Sequence, residues 1–562
     1  MDGAGSNLDD PNSDPGNGEV QRPSPVANEE GLRALGVTID ASQSRRSRRA
    51  RASKKKHRRL RRVLMALGIA FVLLVAGVAG YAWYLNHLVH HITVGGLTAG
   101  ASHGAETGTE NILMVGSTDR CALKTQYIGY GICGQGVNGV NSDVVMILHL
   151  NPNTRTVSIL SIPRDLFIPN ARKEGANKID AALYEGPTQL VAAIQDDFGI
   201  PIQHYVELNF DSFASVVDTL GGINMYFPEP VYDAESDLNV RTPGCIHLDG
   251  FHALQVVRAR HLQYKSAGVT TNNAAYWPME GQSDLARIRR DHEFLRVLAT
   301  AVAKKGLGDP LTDRALITGV IGDLVVDNSM SAGHMINLAL TYHAVNINKS
   351  PQLTVPVLVD QFGSYHYKGG NYGDIEFPTQ PVDQSVVDEF LGITASTNSM
   401  TGAPLPSPST VSVSVNNGTG VTNQAADTAA ALQALGYRIV GAGDTTPVGQ
   451  PAETVVYYGS KAPSVVAAAL AVAHSISGSV MLGFNPSMVT SGAQVTVDTG
   501  TNFSVNQVPS PPISTSTTPG APTTTTTTTS PSGGAFSPAT QSNEALQPWD
   551  PRSCTASGGE GP

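Results

Sequence analysis

Val144-Val145-Met146-Ile147-Leu148-His149-Leu150, then Asn151-Pro152-Asn153, then Thr156-Val157-Ser158-Ile159-Leu160-Ser161-Ile162-Pro163-Arg164-Asp165, is the stretch that decides the fold. The two aliphatic runs have strand length, and Asn-Pro-Asn supplies the turn between them. Upstream, Asn111-Ile112-Leu113-Met114-Val115-Gly116 reads as a third, buried strand ending at a glycine. Downstream the period changes from two to 3.6. Thr188–Phe198 carries Leu190, Val191, Ile194 and Phe198 on one face, and Phe213–Leu220 carries Val216 and Val217. Gly221-Gly222 stops that helix, and Ile223–Phe227 returns to strand. Leu285–Val302 is a longer amphipathic helix, with Ile288, Phe294, Leu295, Leu298 and Val302 on one side. Strands mixed with long helices imply a layered α/β domain.

Moving outward toward the N-terminus, charge becomes the signal. Twelve of the 37 Lys and Arg residues fall between Arg45 and Arg62, and residues 63–85 carry no formal charge at all. A helix of ~20 apolar residues spans a bilayer, so 63–85 reads as a transmembrane anchor. It follows 62 residues, which argues against a cleaved signal peptide. Tyr81, Trp83 and Tyr84 sit at its far end, where aromatic rings prefer the interface. The basic flank predicts a cytoplasmic N-terminus and an exported bulk. The formal charge of the whole chain is -10. With its basic block on the membrane side, the exported part is strongly acidic, so nucleic acid is not an expected partner. Residues 1–62 read as a disordered, basic cytoplasmic tail, and 86–108 as a stalk. His87, His90 and His91 in that stalk lack a Cys or carboxylate at ligand spacing, so they read as solvated.

Toward the C-terminus, a helical extension carries the main domain over 109–395. Residues 396–409 read as a Ser/Thr/Pro linker. Residues 410–503 read as a small α/β domain built β-α-β-β-α from Val411–Val415, Thr422–Leu435, Tyr437–Val440, Thr454–Tyr458 and Ser464–Ser475. Residues 504–562, with seven consecutive threonines at Thr523–Thr529, are expected to be a disordered Thr/Pro/Ser-rich tail.

The sequence holds no P-loop, no HExxH and no zinc Cys/His pairing. Gly100-Ala101-Ser102-His103-Gly104 matches a hydrolase elbow in letters only, since a strand and not a helix follows it. Gly131–Gly136 is Gly-rich but joins no strand to a helix. What recurs is arginine and aspartate at element ends: Asp119-Arg120, Asp143, Arg164-Asp165, Arg258 and Arg260, then Asp284, Arg287 and Arg290. Guanidinium forks suit phosphate oxygens, and Mg²⁺ takes one or two carboxylates plus substrate phosphate. In a chain with only 15% charged residues, this placement points to a di- or polyphosphate site.

Residues 111–302 resemble the catalytic domain of the LytR-CpsA-Psr family. The matching segments are Asn111–Gly116 with Asp119, Asn141-Ser142-Asp143, Ser161–Asp165, His204-Tyr205-Val206, Val217–Gly222, Leu248-Asp249-Gly250, Val257–Arg260, and Asp284 with Arg287 and Arg290. Residues 410–500 resemble the accessory domain often appended to that family, through Val415–Gly420 and the helix after it. The resemblance implies an α-β-α sandwich. It also implies an enzyme that moves a glycopolymer from a polyprenyl-pyrophosphate carrier to peptidoglycan through a new phosphodiester. Arg164, Arg258, Arg260, Arg287 and Arg290 would then bind pyrophosphate, and Asp119 and Asp143 would hold Mg²⁺ (or Mn²⁺). Arg164 would also be catalytic, with Asp165 or Asp284 orienting the acceptor or acting as base. The alternatives are a non-catalytic wall-polymer-binding protein and a polyprenyl-pyrophosphate pyrophosphatase. Asn141 stands where the family usually has Arg, and Val144 where it has Thr; Arg120 or Lys124 would restore the charge. The apolar faces of Thr188–Phe198, Phe213–Leu220 and Leu285–Val302 are the candidates for a lipid channel.

An exported compartment permits disulfides. Cys121 and Cys133 lie in one loop and are expected to pair, which stabilises by roughly 3 kcal/mol in the chain-entropy model. A bond from either to Cys245 stays open. Cys245, in a turn, and Cys554, in the tail, are expected to form no stable bond.

Overall fold

A computed structural model describes residues 63–98, 108–123, 132–136, 139–281, 283–305, 314–343, 345–359, 363–446, 448, 451–506, 538–539 and 545–554. The basic N-terminal tail, the Gly100–Gly104 motif, Lys124, Gly131 and the threonine run lie outside the described residues. The chain divides into two units, 1–81 and 82–562. Helix α1 (Val63–Leu88) has a mean hydropathy of 2.6 and is long and apolar enough to cross a membrane. It runs three residues past the expected end at 85.

The second unit is built on a seven-stranded mixed sheet. Its strands in chain order are β1 (His90–Ile92), β2 (Glu110–Ser117), β3 (Ser142–Asn151), β4 (Thr156–Ile162), β5 (His204–Leu208), β6 (Val325–Asp327) and β7 (Gln352–Thr354). Their spatial order is β1-β6-β5-β2-β3-β4-β7. The hairpin read first from sequence is its centre: Val145 faces Ile162 and Leu150 faces Val157 across β3–β4. The supposed stalk at 86–108 is corrected here, because His90–Ile92 is the edge strand, parallel to β6. Its partner lies 235 residues away, beyond the reach of local pattern.

Helices α2 (Pro187–Phe198), α3 (Phe210–Thr219), α4 (Gly250–Arg258), α5 (Ser283–Lys305), α6 (Arg314–Gly322), α7 (Ala332–Tyr342) and α8 (Val382–Leu391) complete the layers. Strand side chains alternate between faces. Leu113 and Val115 of β2, with Val145 and Ile147 of β3, therefore share one face and bury against Leu190, Val191 and Ile194 of α2 and Phe390 of α8. Each such fully buried aliphatic side chain is worth ~1.5–3 kcal/mol. Met114 and Met146, paired across β2–β3, emerge on the opposite face, which is where the site lies. Asn209 starts α3 by accepting a hydrogen bond from the Ser212 N–H, and Asp249 starts α4 by accepting one from the His252 N–H. A Cβ on Gly250 would meet the Ala214 carbonyl oxygen at 2.1 Å, so only glycine lets α4 seat against α3.

The C-terminal domain has strands β8 (Ser412–Asn417), β9 (Arg438–Asp444), β10 (Thr454–Tyr458), β11 (Val480–Phe484) and β12 (Val495–Thr499), ordered β9-β8-β12-β10-β11. Helices α9 (Gln424–Ala434) and α10 (Pro463–Ala473) cover it. Strands β11 and β12, which follow α10, were not expected. This domain is bonded to the first. Lys461 pairs with Asp196 at 2.8 Å, and the Asn170 side chain bonds both the N–H and the carbonyl of Phe484. The linker packs against the first domain: Asn398 and Ser399 are buried, and the Ser399 hydroxyl donates to the Gly199 carbonyl at 2.6 Å.

The described part of the tail contradicts the expected disorder over 504–562. Trp549 stacks on Tyr264 with ring centroids 3.9 Å apart. Asp550 is fully buried and accepts from Arg289 at 2.6 Å. Arg552–Ser553 adds a strand beside Ile223–Phe227, and Cys554 is bonded to Cys245. The expectation that these two cysteines stay unbonded is therefore overturned. Residues 545–554 form a return strap, whose few apolar and acidic anchors are diluted in the sequence by the polar residues before them. Cys121 and Cys133 are bonded to each other.

Candidate functional site

The Met114/Met146 face of the sheet and helices α3, α4 and α5 enclose a cavity of about 520 Å³. Its depth is apolar: Met114, Val144 and Met146 from the sheet, Phe210, Phe213 and Val216 from α3, Leu254 and Val257 from α4, and Phe294, Leu295 and Leu298 from α5. Gly116 lines it as well. A Cβ there would approach the Val144 Cβ to 2.9 Å, so the bare backbone keeps that wall open. Of the three helices proposed for a lipid channel, α3 and α5 line this cavity. Helix α2 is core instead, because its apolar face meets the other side of the sheet.

Cations ring one end of this cavity: Arg120, Arg164, Arg258, Arg260 and Arg287 all line it. Arg164 follows β4 and donates to Asp143 and, at 3.4 Å, to Asp165; Asp284 lies 3.8 Å away. Asp165 is shared further, with Lys178 at 2.7 Å and Arg260 at 3.3 Å. Asp284 Oδ1 forms ion pairs with Arg287 at 2.9 Å and Arg260 at 3.7 Å. Arg287 also donates to the Asp143 carbonyl at 2.5 Å, which ties α5 to the start of β3. Arg258 and Arg120 lie over the Phe210 ring, at 4.8 and 5.8 Å from its centroid.

The electrostatics sort the roles. Burial alone would lower the affinity of Arg164 for its proton, but Asp143, Asp165 and Asp284 outweigh it, and the pKa rises. Burial likewise works against charge on Arg287, and Asp284 and Asp291 overcome it. Burial pushes the Asp165 carboxyl up, yet Arg164, Lys178 and Arg260 hold it below the usual carboxylate range. A carboxylate so held is a poor base, and its geometry makes it the post on which Arg164 and Arg260 are set. Asp284 performs the same service for Arg287, Arg260 and Arg164.

Arg290 is a correction. Its side chain is 1% exposed, does not line the cavity, and donates to Glu280 and to the Ala259 carbonyl, with Asp550 at 3.9 Å. Spacing of one turn put it beside Arg287 in the sequence reading. In three dimensions the three-residue step turns it toward the strap, where it holds buried acids.

Asp119 and Asp143 flank paired strand ends, since Ser117 pairs with Ser142 and Thr118 N–H donates to the Asn141 carbonyl. Asp119 Oδ1 accepts from the N–H groups of Cys121 and Ala122, and Asp143 Oδ1 from Arg164. Asp143 lines the cavity among the guanidinium groups and Asp119 does not; a carboxylate so placed is a donor Mg²⁺ takes together with phosphate oxygens. Asn141 lines the cavity close to Arg120, on the same loop-to-strand pair. Sequence reasoning missed Asp291. It lines the cavity, lies 3.7 Å from Arg287, and is pushed by burial up to about 7, with Arg287 and Arg290 pulling the other way. Its signal was the i,i+4 step from Arg287.

The fold and site are those of an α/β protein that joins an apolar cavity to a set of lining arginines. Residues 93–375 match the LytR_cpsA_psr family, and residues 410–503 match the LytR cell envelope-related transcriptional attenuator model. The chain belongs to the LytR-CpsA-Psr family. It is 30% identical over 259 residues to the probable cell wall biosynthesis protein LcpB of Corynebacterium glutamicum, covering 46% of this chain and 56% of that one. It is 31% identical over 133 residues to the polyisoprenyl-teichoic acid–peptidoglycan teichoic acid transferase TagU of Bacillus anthracis, covering 22% of this chain and 41% of that one. The chain thus spans about half the length of these curated relatives. Among solved structures, a LytR-Csp2A-Psr enzyme from Actinomyces oris aligns with a TM-score of 0.38 at 21% identity, over 53% of this chain and 95% of that one.

Proposed function

We propose that this protein transfers a glycopolymer from a polyprenyl-pyrophosphate carrier to a hydroxyl of peptidoglycan, outside a membrane to which α1 anchors it with its N-terminus in the cytoplasm. The observation that carries this reading is the joined character of one cavity: an apolar depth that accepts a prenyl chain and a rim of five arginines that accepts a diphosphate. Either half alone suits many ligands; together they suit a lipid diphosphate. The acceptor oxygen attacks the sugar-proximal phosphorus, the bond to the bridging oxygen breaks, and polyprenyl phosphate leaves. Phosphoryl transfer of this kind needs positioning and charge neutralisation more than covalent help. Arg164, Arg260 and Arg287 meet the bridging and leaving oxygens, fixed by Asp165 and Asp284. Arg258, on Phe210, marks the passage from polar rim to apolar depth. Asp119 and Asp143 would hold Mg²⁺ (or Mn²⁺), which when bound supplies positive charge to the phosphate oxygens. Incubation with radiolabelled lipid-linked glycan and peptidoglycan tests the reading. Covalent label on peptidoglycan supports it, and release of orthophosphate without transfer points to the pyrophosphatase instead.

A further inference from the structure

The end of the sheet remote from the cavity carries a second cluster of chemistry-bearing side chains. Glu110 opens β2, His204 opens β5 and His334 lies in the first turn of α7. Strands β2 and β5 run parallel, with Ile112 beside His204, so their first residues meet at one sheet end. The cavity is at the other end, where Ser117 and Thr118 line it. Seven residues of strand separate Glu110 from Ser117, roughly 23 Å.

At this end one donor atom from each of Glu110, His204 and His334 lies within 4.8 Å of the other two. His334 Nε2 is 2.9 Å from Glu110 Oε2, and the two imidazole rings are 5.1 Å apart. All three side chains are half-buried, so an ion can enter from solvent. His204 is also oriented from behind: its Nδ1 lies 3.0 Å from Asp327 Oδ2 on β6. A carboxylate on Nδ1 places the proton there and leaves Nε2 as the ligand nitrogen, the arrangement that supports metal-bound histidine elsewhere.

We infer that Glu110, His204 and His334 form a Zn²⁺ site with three protein ligands and one position left for water. Two imidazoles and one carboxylate are a zinc donor set, whereas Mg²⁺ and Ca²⁺ prefer oxygen alone. Tetrahedral zinc, with bonds of ~2.0–2.1 Å, sets its ligand atoms roughly 3.3 Å apart, so the donor atoms need draw in by no more than about 1.5 Å on binding. The ion takes the place of the His334–Glu110 hydrogen bond. It pins α7 and β5 to β2 at the sheet end opposite the cavity, and the inference is independent of the transfer reaction proposed above.

The test uses the full-length protein in detergent, stripped of metal and then titrated with Zn²⁺ by calorimetry and with Co²⁺ by visible absorption. One equivalent of Zn²⁺ and a tetrahedral Co²⁺ spectrum are expected. His334→Gln, on a part-exposed helix turn, should abolish the Co²⁺ spectrum while circular dichroism stays unchanged. Asp327→Asn should weaken Zn²⁺ binding by ~10–100-fold without removing a ligand. Absence of a stoichiometric Zn²⁺ equivalent would overturn the inference. So would binding that survives His334→Gln but is lost in His87→Gln/His90→Gln, which would place the ion on the other histidines.

Discussion

Arg260 and Arg290 look alike in the sequence and are assigned opposite work by their surroundings. Replacing Arg290 with alanine leaves Glu280 and Asp550, at 1% and 0% side-chain exposure, with Arg289 as their remaining close guanidinium. The Ala259 carbonyl also loses its donor. Breaking a buried pair by removing one partner costs ~3–5 kcal/mol. At ~2–4 °C per kcal/mol for a domain of this size, the midpoint of thermal unfolding should fall by roughly 6–20 °C. Replacing Arg260 is different. Asp165 keeps Lys178 at 2.7 Å, and Asp284 keeps Arg287 at 2.9 Å. The fold should lose no more than ~1 kcal/mol. The diphosphate loses a charged hydrogen bond of ~1.5–3 kcal/mol, so transfer should fall roughly 10–100-fold. Differential scanning fluorimetry and the transfer assay, run on both variants, separate the two effects. An Arg290→Ala protein with wild-type melting but abolished transfer would refute the division of labour.

Arg164→Ala should reduce transfer at least as much as Arg260→Ala, because Arg164 touches Asp143, Asp165 and Asp284 at once; turnover at saturating donor checks it. Excess EDTA should inhibit transfer and Mg²⁺ restore it, and full activity in chelator would remove the metal from the mechanism. Cys554→Ser opens a loop of 309 residues and Cys121→Ser one of 12, so the chain-entropy limits are roughly 6 and 3 kcal/mol, and urea unfolding should rank the two variants in that order. Burial pushes the Asp383 carboxyl up to about 7. The folded state therefore holds a proton between pH ~4 and 7 that the unfolded chain releases, and stability falls as pH rises through that window. Asp383→Asn should raise the melting temperature at pH 8 and leave it nearly unchanged at pH 4.

The central hairpin was legible because β3 and β4 are sequence neighbours whose turn and aliphatic alternation lie within one window. The rim arginines were legible for a related reason: each follows a recognisable element end. What the sequence hid depends on distance along the chain. His90–Ile92 looks like a stalk until Val325–Asp327 is placed beside it. Trp549, Asp550 and Cys554 look like tail until Tyr264, Arg289 and Cys245 meet them. Arg290 was misread for the same reason, since its acids, Glu280 and Asp550, come from a loop and from that strap. The helix that proved to be core, α2, has the same amphipathic period as α3 and α5. Only the parity of β2 and β3 decides which face of the sheet a helix covers.

One measurement bears on the central claim most directly. The purified full-length protein, extracted in mild detergent, is analysed by native mass spectrometry with and without added polyprenyl pyrophosphate, in the wild type and in Arg164→Ala/Arg260→Ala. A single lipid diphosphate retained by the wild type and lost from the double variant, with both folded, is the result predicted by a cavity of apolar depth and arginine rim. Retention of neutral prenol as firmly as of the diphosphate, or equal retention by the double variant, would contradict it.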